Sequence, residues 1–187
     1  MGVCTAFKGK RRMGEFEGRV VIVTGGALGI GKSYCCGFAE AGAHVVVADI
    51  EQEAANRVGQ DVNGLAVQVD VSDEASTKAM AKAAHDRYGR IDILLNNAGL
   101  FTAILPMKPW TEISLEEWDR VMAVNVKSVY LMSRQAIPLM VESGGGVILN
   151  TASGWGLVGG RNAVSYCASK AAVVNMTRAM ALDHGDQ

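Results

Sequence analysis

The segment that most constrains the fold is Val20 to Gly31, VVIVTGGALGIG, in which a run of apolar residues breaks into glycines. An apolar run without polar alternation is typical of a strand that is buried on both faces, as in a parallel sheet. Residues 33–41 then have a helix-forming composition, which stops at Gly42. The glycines are therefore predicted to lie in a turn between a strand and a helix.

Such a turn predicts a dinucleotide site. It aims free N–H groups and the positive end of a helix at one point, and the missing Cβ atoms at Gly25, Gly29 and Gly31 let a diphosphate approach the backbone. Asp49 ends the next apolar run, 20 positions after Gly29, where a carboxylate meets the ribose hydroxyls of an adenosine. Because a carboxylate binds a free 2′-hydroxyl and repels a 2′-phosphate, NAD is favoured over NADP. The alternative is that Asp49 is only a solvated residue at a strand end.

Segments with strand and helix composition alternate along the rest of the chain. Strands are predicted at 65–71, 91–95 and 147–149, and helices at 51–58, 72–88, 115–142 and 161–184. This alternation is typical of right-handed βαβ units, so we expect an α/β fold. A capping box from Ser114 to Glu117 opens the helix 115–142, and Pro138 is predicted to kink it. We expect residues 1–14 to form a poorly ordered leader and residues 15–187 to form a single domain.

The composition argues against several classes of partner. The chain has 18 Lys and Arg residues against 19 Asp and Glu residues. It therefore lacks the excess positive charge that would attract a nucleic acid or an anionic membrane. No apolar run reaches the roughly 20 residues of a membrane span. The amino terminus lacks the apolar core of a signal peptide, which predicts a cytoplasmic protein. No metal site is predicted, because the four cysteines, Cys4, Cys35, Cys36 and Cys167, lack metal-ligand spacing.

Three residues towards the carboxyl terminus have the chemistry of an acid–base site. Tyr166 and Lys170 are four positions apart on a predicted helix, so both project from one face. The ammonium favours the phenolate form of the tyrosine, which can then act as a base. Ser153 follows a neighbouring strand and could donate a hydrogen bond to the same substrate oxygen. Each residue taken alone is more often structural: a tyrosine half in the core, a lysine along the surface, a serine that caps a helix.

Taken together, the motifs resemble those of the short-chain dehydrogenase/reductase family. The resemblance extends from Gly18 to about Gly185, and its motifs follow the order of the family. They are Thr24-Gly-Gly-Ala-Leu-Gly-Ile-Gly31, Asp70-Val71, Asn96-Asn-Ala-Gly99, Asn125, Ser153 and Tyr166-x-x-x-Lys170. By resemblance, the fold is a Rossmann-type doubly wound parallel sheet with helices on both faces and about five strands in the order 3-2-1-4-5. Family members continue into a sixth and a seventh strand, so we expect this chain to be truncated.

The resemblance also implies roles for single residues. Tyr166 acts as general acid/base on the substrate oxygen, Ser153 holds that oxygen, and Lys170 grips the nicotinamide ribose. Asn125 holds a water that links Lys170 to solvent. The residues expected to bind the cofactor are Gly25, Leu28, Gly29, Ile30, Gly31, Asp49, Ile50, Asp70, Val71, Asn97, Ala98 and Gly99, together with Tyr166 and Lys170.

The implied activity is hydride transfer between the nicotinamide of NAD and a small secondary alcohol or ketone. Leu100, Phe101, Trp155 and Leu157 are candidates for an apolar pocket wall. The alternative is an NAD-binding protein with impaired catalysis. A homodimer or homotetramer is expected through the helices 115–142 and 161–184, although the first of these could serve only to cover the sheet.

Overall fold

The computed structural model describes residues 14–101 and 107–187. Within these residues, five parallel strands form one sheet in the order β3-β2-β1-β4-β5, as predicted. The strands are β1 (Val20–Thr24), β2 (His44–Asp49), β3 (Leu65–Gln68), β4 (Ile93–Asn96) and β5 (Val147–Asn150). The predicted leader lies outside the described residues except for Gly14, and the division into domains stays a prediction.

Six α-helices cover the two faces of this sheet within the described residues. They are α1 (Gly29–Glu40), α2 (Gln52–Asp61), α3 (Glu74–Tyr88), α4 (Leu115–Met122), α5 (Ser128–Glu142) and α6 (Val164–His184). Val20 and Ile22 of β1 pack in one core cluster with residues of α3 and α5. Val21 and Val23 pack in a second cluster with residues of α1 and α2. Because successive strand residues point to opposite faces, burial on both faces explains the unbroken apolar run of β1.

The helix predicted over 115–142 begins where expected but is interrupted. The Ser114 hydroxyl accepts from the N–H of Glu117, and the Glu117 carboxylate accepts from the N–H of Ser114, which confirms the capping box. The interruption comes before Pro138, at a π-helical turn over Ala123–Lys127 that joins α4 to α5. A π turn carries one extra residue per turn and has no composition of its own, so it could not be predicted from the sequence.

Other boundaries also differ from the prediction. Strand β3 ends at Gln68 and not at 71, helix α2 continues to Asp61, and helix α3 begins at Glu74 and not at 72. Helix α1 begins at Gly29, so Gly29 and Gly31 lie in its first turn and not before it. Helix α6 begins at Val164, and residues 161–163 precede it. Helix ends are hard to predict because several flanking residues can serve as the cap.

The carboxyl ends of the parallel strands meet at one edge of the sheet, where Thr24, Asp49, Asn96 and Asn150 end their strands. In open parallel sheets, ligands bind outside this edge. Strand β5 is the outermost strand at one side of the sheet, and it pairs with β4. Among the described residues, no helix is long and apolar enough to span a membrane, and no group of three or more His, Cys, Asp or Glu could hold a metal ion.

Candidate active site

The glycine turn after β1 packs tightly against the loop after β4. Gly25 has a φ of +64°, which favours glycine, and a Cβ at this position would lie 3.0 Å from the Cα of Ala98. A Cβ at Gly31 would overlap the backbone carbonyl of Gly25. The turn therefore has no room for side chains at these two glycines, and protein atoms fill the space of their missing Cβ atoms. At Gly29, by contrast, an added Cβ would meet no described atom within 4 Å, so the backbone is open there.

Thr24 joins the two loops, and the sequence did not single it out as a site residue. Its buried hydroxyl accepts from the N–H of Asn97 at 2.9 Å and from the N–H of Ala98 at 3.0 Å. The side-chain amide of Asn97 donates in return to the carbonyl of Thr24 at 3.0 Å. The sequence signals were its place at the start of the glycine motif and at the end of a buried strand. Asn97 and Ala98 thus lie beside the glycine turn. That these residues and Gly99 line a cofactor stays a prediction.

Asp49 is half-buried at the end of β2 and contacts the glycine turn directly. Its Oδ2 accepts from the N–H of Ala27 at 2.9 Å, and its Oδ1 accepts from the N–H of Glu51 at 3.1 Å. Leu28, the N-cap residue of α1, carries no polar atom with which to cap the first N–H groups of that helix. Apolar side chains near the glycine turn and Asp49 are mostly exposed to solvent: those of Leu28, Ile30 and Ile50. A free helix end, a carboxylate and exposed apolar side chains fit the diphosphate, ribose and adenine of a dinucleotide.

Asp70 and Val71 follow β3 and differ in their surroundings. Hydrogen bonds from the hydroxyl and the backbone N–H of Ser72 hold the pKa of the exposed Asp70 carboxyl below its usual range. Val71 is buried in the core cluster that contains α3. The Val71 side chain thus packs in the core. Contact of Asp70 and Val71 with adenine stays a prediction.

Tyr166 and Lys170 lie on one face of α6, as their spacing predicts. The Nζ atom of Lys170 lies 5.8 Å from the centroid of the Tyr166 ring. Lys170 is buried, and its ammonium donates to the carbonyl of Thr151 at 2.7 Å. Burial lowers the pKa of Lys170, because desolvation disfavours the charged form. A poorly solvated cation acts strongly on a neighbouring phenol, so this geometry is suited to acid–base chemistry at Tyr166.

Ser153 lies beyond the end of β5 and caps a short 3₁₀ turn, Gly154–Gly156. Its hydroxyl accepts from the N–H of Trp155 at 3.2 Å and keeps its own proton available for donation. Trp155 packs edge-to-face on Tyr166, with ring centroids 6.1 Å apart. This turn therefore brings Ser153 to the same region as Tyr166.

Asn125 lies in the π turn and is fully buried. Its Oδ1 accepts from the N–H of Leu100 at 2.7 Å, and its Nδ2 donates to the carbonyl of Leu100 at 2.9 Å. Nδ2 also donates to the hydroxyl of Ser169 at 3.0 Å. The amide is thus engaged with protein groups, and the water expected at Asn125 stays a prediction. A Cβ at Gly99 would lie 3.2 Å from the Asn125 Oδ1 and 3.6 Å from the Lys170 Nζ, so these groups meet at Gly99.

The sequence profile of the short chain dehydrogenase family matches residues 19–187. The chain belongs to this family. Its members are NAD(P)-dependent oxidoreductases, which agrees with the glycine turn and the Tyr166–Lys170 pair. The resemblance expected from the motifs is confirmed.

Relatives of this dehydrogenase chain act on different substrates. It is 41% identical over 174 residues to meso-2,3-butanediol dehydrogenase of Serratia marcescens and 40% identical over 175 residues to 3beta-hydroxysteroid dehydrogenase 2 of Eggerthella lenta. These matches cover 91% and 90% of the chain, and 67% and 66% of the relatives, so the chain spans about two thirds of their length. A crystal structure from Sinorhizobium meliloti 1021, assigned to the short-chain alcohol dehydrogenases, superposes with a TM-score of 0.85 at 32% identity. That match covers 92% of this chain and 69% of the other.

Proposed function

We propose that this dehydrogenase transfers a hydride between NAD and a secondary alcohol or ketone, with Tyr166 as the general acid/base. The observation that carries the proposal is the buried Lys170 ammonium, 5.8 Å from the centre of the Tyr166 ring. A phenol beside a desolvated cation can take up and return a proton at neutral pH.

Each residue then has a chemical task. A bound nicotinamide supplies the hydride acceptor or donor at its C4 atom. In the oxidising direction, Tyr166 takes the proton of the substrate hydroxyl, and Ser153 donates a hydrogen bond to the same oxygen. In the reducing direction, Tyr166 returns the proton to the carbonyl oxygen. Lys170 stabilises the phenolate in both directions, and its bond to the Thr151 carbonyl at 2.7 Å fixes the position of its ammonium.

We propose NAD as the preferred cofactor. The Asp49 carboxylate accepts from Ala27 within the glycine turn, which puts a negative charge beside the expected position of the adenosine ribose. A 2′-phosphate would meet this charge at short range, whereas a 2′-hydroxyl can donate to it. Gly25, Gly29 and Gly31, with the start of α1, would hold the diphosphate.

We propose a substrate with an apolar group beside the reacting carbon. Trp155 is the side chain that packs on the Tyr166 ring, and Phe101 and Leu157 are exposed apolar residues of the two neighbouring loops. The named relatives act on a butanediol and on a hydroxysteroid, both of which carry apolar groups next to a secondary hydroxyl. The reaction at the carbinol is the same for both.

We also propose that the chain forms a homo-oligomer through α4, α5 and α6. A groove between these helices is lined mainly by apolar side chains, among them Met122, Val126, Tyr130 and Met176, and its lining also includes Asp119 and Lys127. Tyr130 is half exposed, and an apolar groove of this kind is suited to a second copy. Light scattering after size-exclusion chromatography would test this: we expect a dimer or tetramer that Tyr130→Glu converts to a monomer, and a monomeric wild type would contradict it.

Two measurements test the proposed activity. The first is a thermal melt with NAD or NADP, because a ligand at 100 times its dissociation constant adds about 2.7 kcal/mol to the free energy of unfolding. The second is hydride transfer on a panel of secondary alcohols, followed as absorbance of the reduced nicotinamide, with Tyr166→Phe as the comparison. We expect Tyr166→Phe to keep the NAD-induced shift and to lose turnover. Turnover that does not depend on Tyr166 would overturn the assignment.

A further inference from the structure

Ser169 is a fully buried hydroxyl within the Tyr166–Lys170 segment. It lies three positions after Tyr166 and one before Lys170 on α6. Its Oγ donates to the backbone carbonyl of Tyr166 at 2.7 Å and accepts from the Asn125 Nδ2 at 3.0 Å. Because the side chain is enclosed by protein, it reaches neither substrate nor cofactor. Any effect of Ser169 on the reaction must therefore act through its two partners.

The Ser169 proton fixes the orientation of the Asn125 amide. Since that proton points to the Tyr166 carbonyl, the hydroxyl presents a lone pair to Asn125 and accepts only from its NH₂ group. The opposite side of the amide meets Leu100, whose N–H reaches the Asn125 Oδ1 and whose carbonyl accepts from Nδ2. A flipped amide would bring oxygen against carbonyl and N–H against N–H at Leu100. Ser169 and Leu100 therefore hold Asn125 in one state.

This chain of bonds connects the helix of the acid–base pair to the loop beside the cofactor. Ser169 belongs to α6, Asn125 to the π turn, and Leu100 follows Gly99 in the loop after β4. Asn125 and Lys170 both adjoin Gly99, since a Cβ there would lie within 3.6 Å of the Asn125 Oδ1 and of the Lys170 Nζ. A shift of α6 relative to this loop would thus change how Lys170 and Tyr166 face the nicotinamide.

We infer that Ser169 is a positioning residue that locks Asn125 between α6 and the loop 99–100 and so sets the position of Tyr166 and Lys170 over the cofactor. This inference rests on the proposed function. It predicts that Ser169 affects the rate of hydride transfer more than the affinity for NAD, because the bonds it organises lie at the nicotinamide end of the site and not at Asp49.

The test compares Ser169→Ala with a matched control, Ser133→Ala. Ser133 is also a buried serine whose hydroxyl accepts from an asparagine amide, that of Asn96 at 3.3 Å, but it lies on α5. For Ser169→Ala we expect kcat to fall about 10- to 100-fold, the effect of a misplacement of about 1 Å. The KM for NAD should change little. In the oxidising direction, the pH of half-maximal rate should move upward, because the Lys170 ammonium is held less closely beside Tyr166. Ser133→Ala should lower the Tm by a similar amount and leave kcat and the pH profile unchanged.

Two further variants keep the result interpretable. Ser169→Thr retains the hydroxyl and should recover most of the rate. If Ser169→Ala does not melt cooperatively, Ser169→Cys fills the same space with a weaker hydrogen-bonding group and should show the same change of kcat and pH profile. Wild-type kinetics in a folded Ser169→Ala variant, together with Tyr166-dependent turnover in the wild type, would overturn this inference alone. A wild type without Tyr166-dependent turnover would overturn the proposed function and this inference with it.

Discussion

The carboxylate of Asp49 accepts a hydrogen bond from the backbone N–H of Ala27, with 2.9 Å between Oδ2 and N. This bond joins the end of β2 to the glycine turn after β1, across 22 positions of sequence. It holds the carboxylate at the turn, so the charge that would select between the two nicotinamide cofactors also stabilises the loop that would bind their diphosphate. The two effects can be separated by substitution.

Asp49→Asn removes the charge and keeps an oxygen that can accept from Ala27. We expect this variant to lower the preference for NAD over NADP about tenfold, which corresponds to roughly 1.4 kcal/mol. Asp49→Ala removes the charge and also the bonds to Ala27 and Glu51, so it should lower the Tm further. Dissociation constants for both cofactors, measured by calorimetry, check this. An unchanged preference in Asp49→Asn would mean that Asp49 does not lie at the ribose.

Gly31 and Gly37 offer a matched pair of glycines on α1. A Cβ at Gly31 would overlap the carbonyl of Gly25, whereas one at Gly37 has no described atom within 4 Å. We expect Gly31→Ala to displace the glycine turn, to cost about 1–3 kcal/mol of stability and to abolish the NAD-induced shift in Tm. Gly37→Ala should stabilise the protein by about 0.5–1 kcal/mol, because alanine loses less entropy in a helix. Normal NAD binding by Gly31→Ala would show that this turn is not the diphosphate site.

The parts of the site that the sequence predicts are those with local signatures. The apolar run and glycines at 20–31 indicate a strand, a turn and a helix, and the Ser114 capping box marks the start of α4. The four-residue spacing of Tyr166 and Lys170 places both on one face of a helix, independently of the tertiary structure around it. The strand order came from the resemblance to a family and not from the residues themselves.

The parts that the sequence did not predict depend on contacts between distant segments. Thr24 and Asn97 are 73 positions apart, and Ser169 and Asn125 are 44 positions apart. Neither hydroxyl differs in sequence from one that merely packs in a core. The π turn at Ala123–Lys127 contains Asn125, whose partners Leu100 and Ser169 lie in other parts of the fold. Pairings of this kind are set by the tertiary fold, so no local pattern could have revealed them.

Gly160 and Gly159 test the role of Trp155 as a pocket wall. A Cβ at Gly160 would lie 2.7 Å from the Trp155 indole, whereas one at Gly159 has no atom of the described residues within 4 Å. Gly160→Ala should therefore displace the indole from the Tyr166 ring and raise the KM for substrates with an apolar group up to about tenfold, in line with the energy of an aromatic pair. NAD affinity should not change, and Gly159→Ala should match the wild type. An unchanged KM in a folded Gly160→Ala variant would argue against Trp155 as a substrate contact.

Asp92 predicts how stability depends on pH. It lies just before β4, at the end of the sheet opposite to the site, and its buried carboxylate accepts from Arg19, Arg90 and the N–H of Val20. Burial acts to raise its pKa, but these hydrogen bonds outweigh burial and hold the pKa below the ordinary 3.8. Because the folded pKa is the lower one, the ionised carboxylate stabilises the fold above pH 3.8, and this stability is lost as the pH falls through the folded pKa.

Asp92→Asn should therefore reduce the free energy of unfolding at pH 7 by about 1.5–3 kcal/mol, the range of a hydrogen bond to a charged group. The difference from the wild type should begin to shrink as the pH falls below 3.8, because the unfolded wild-type carboxyl then takes up a proton, and it should vanish once the pH falls through the lower folded pKa. Urea unfolding at pH 7, 4 and 3 measures this difference. Asp86→Asn is the control, because Asp86 pairs with Lys82 on an exposed helix face, where an ion pair contributes little. A difference for Asp92→Asn that stays constant down to pH 3 would contradict the assigned ionisation, and the NAD-induced shift should persist because Asp92 lies away from the cofactor edge.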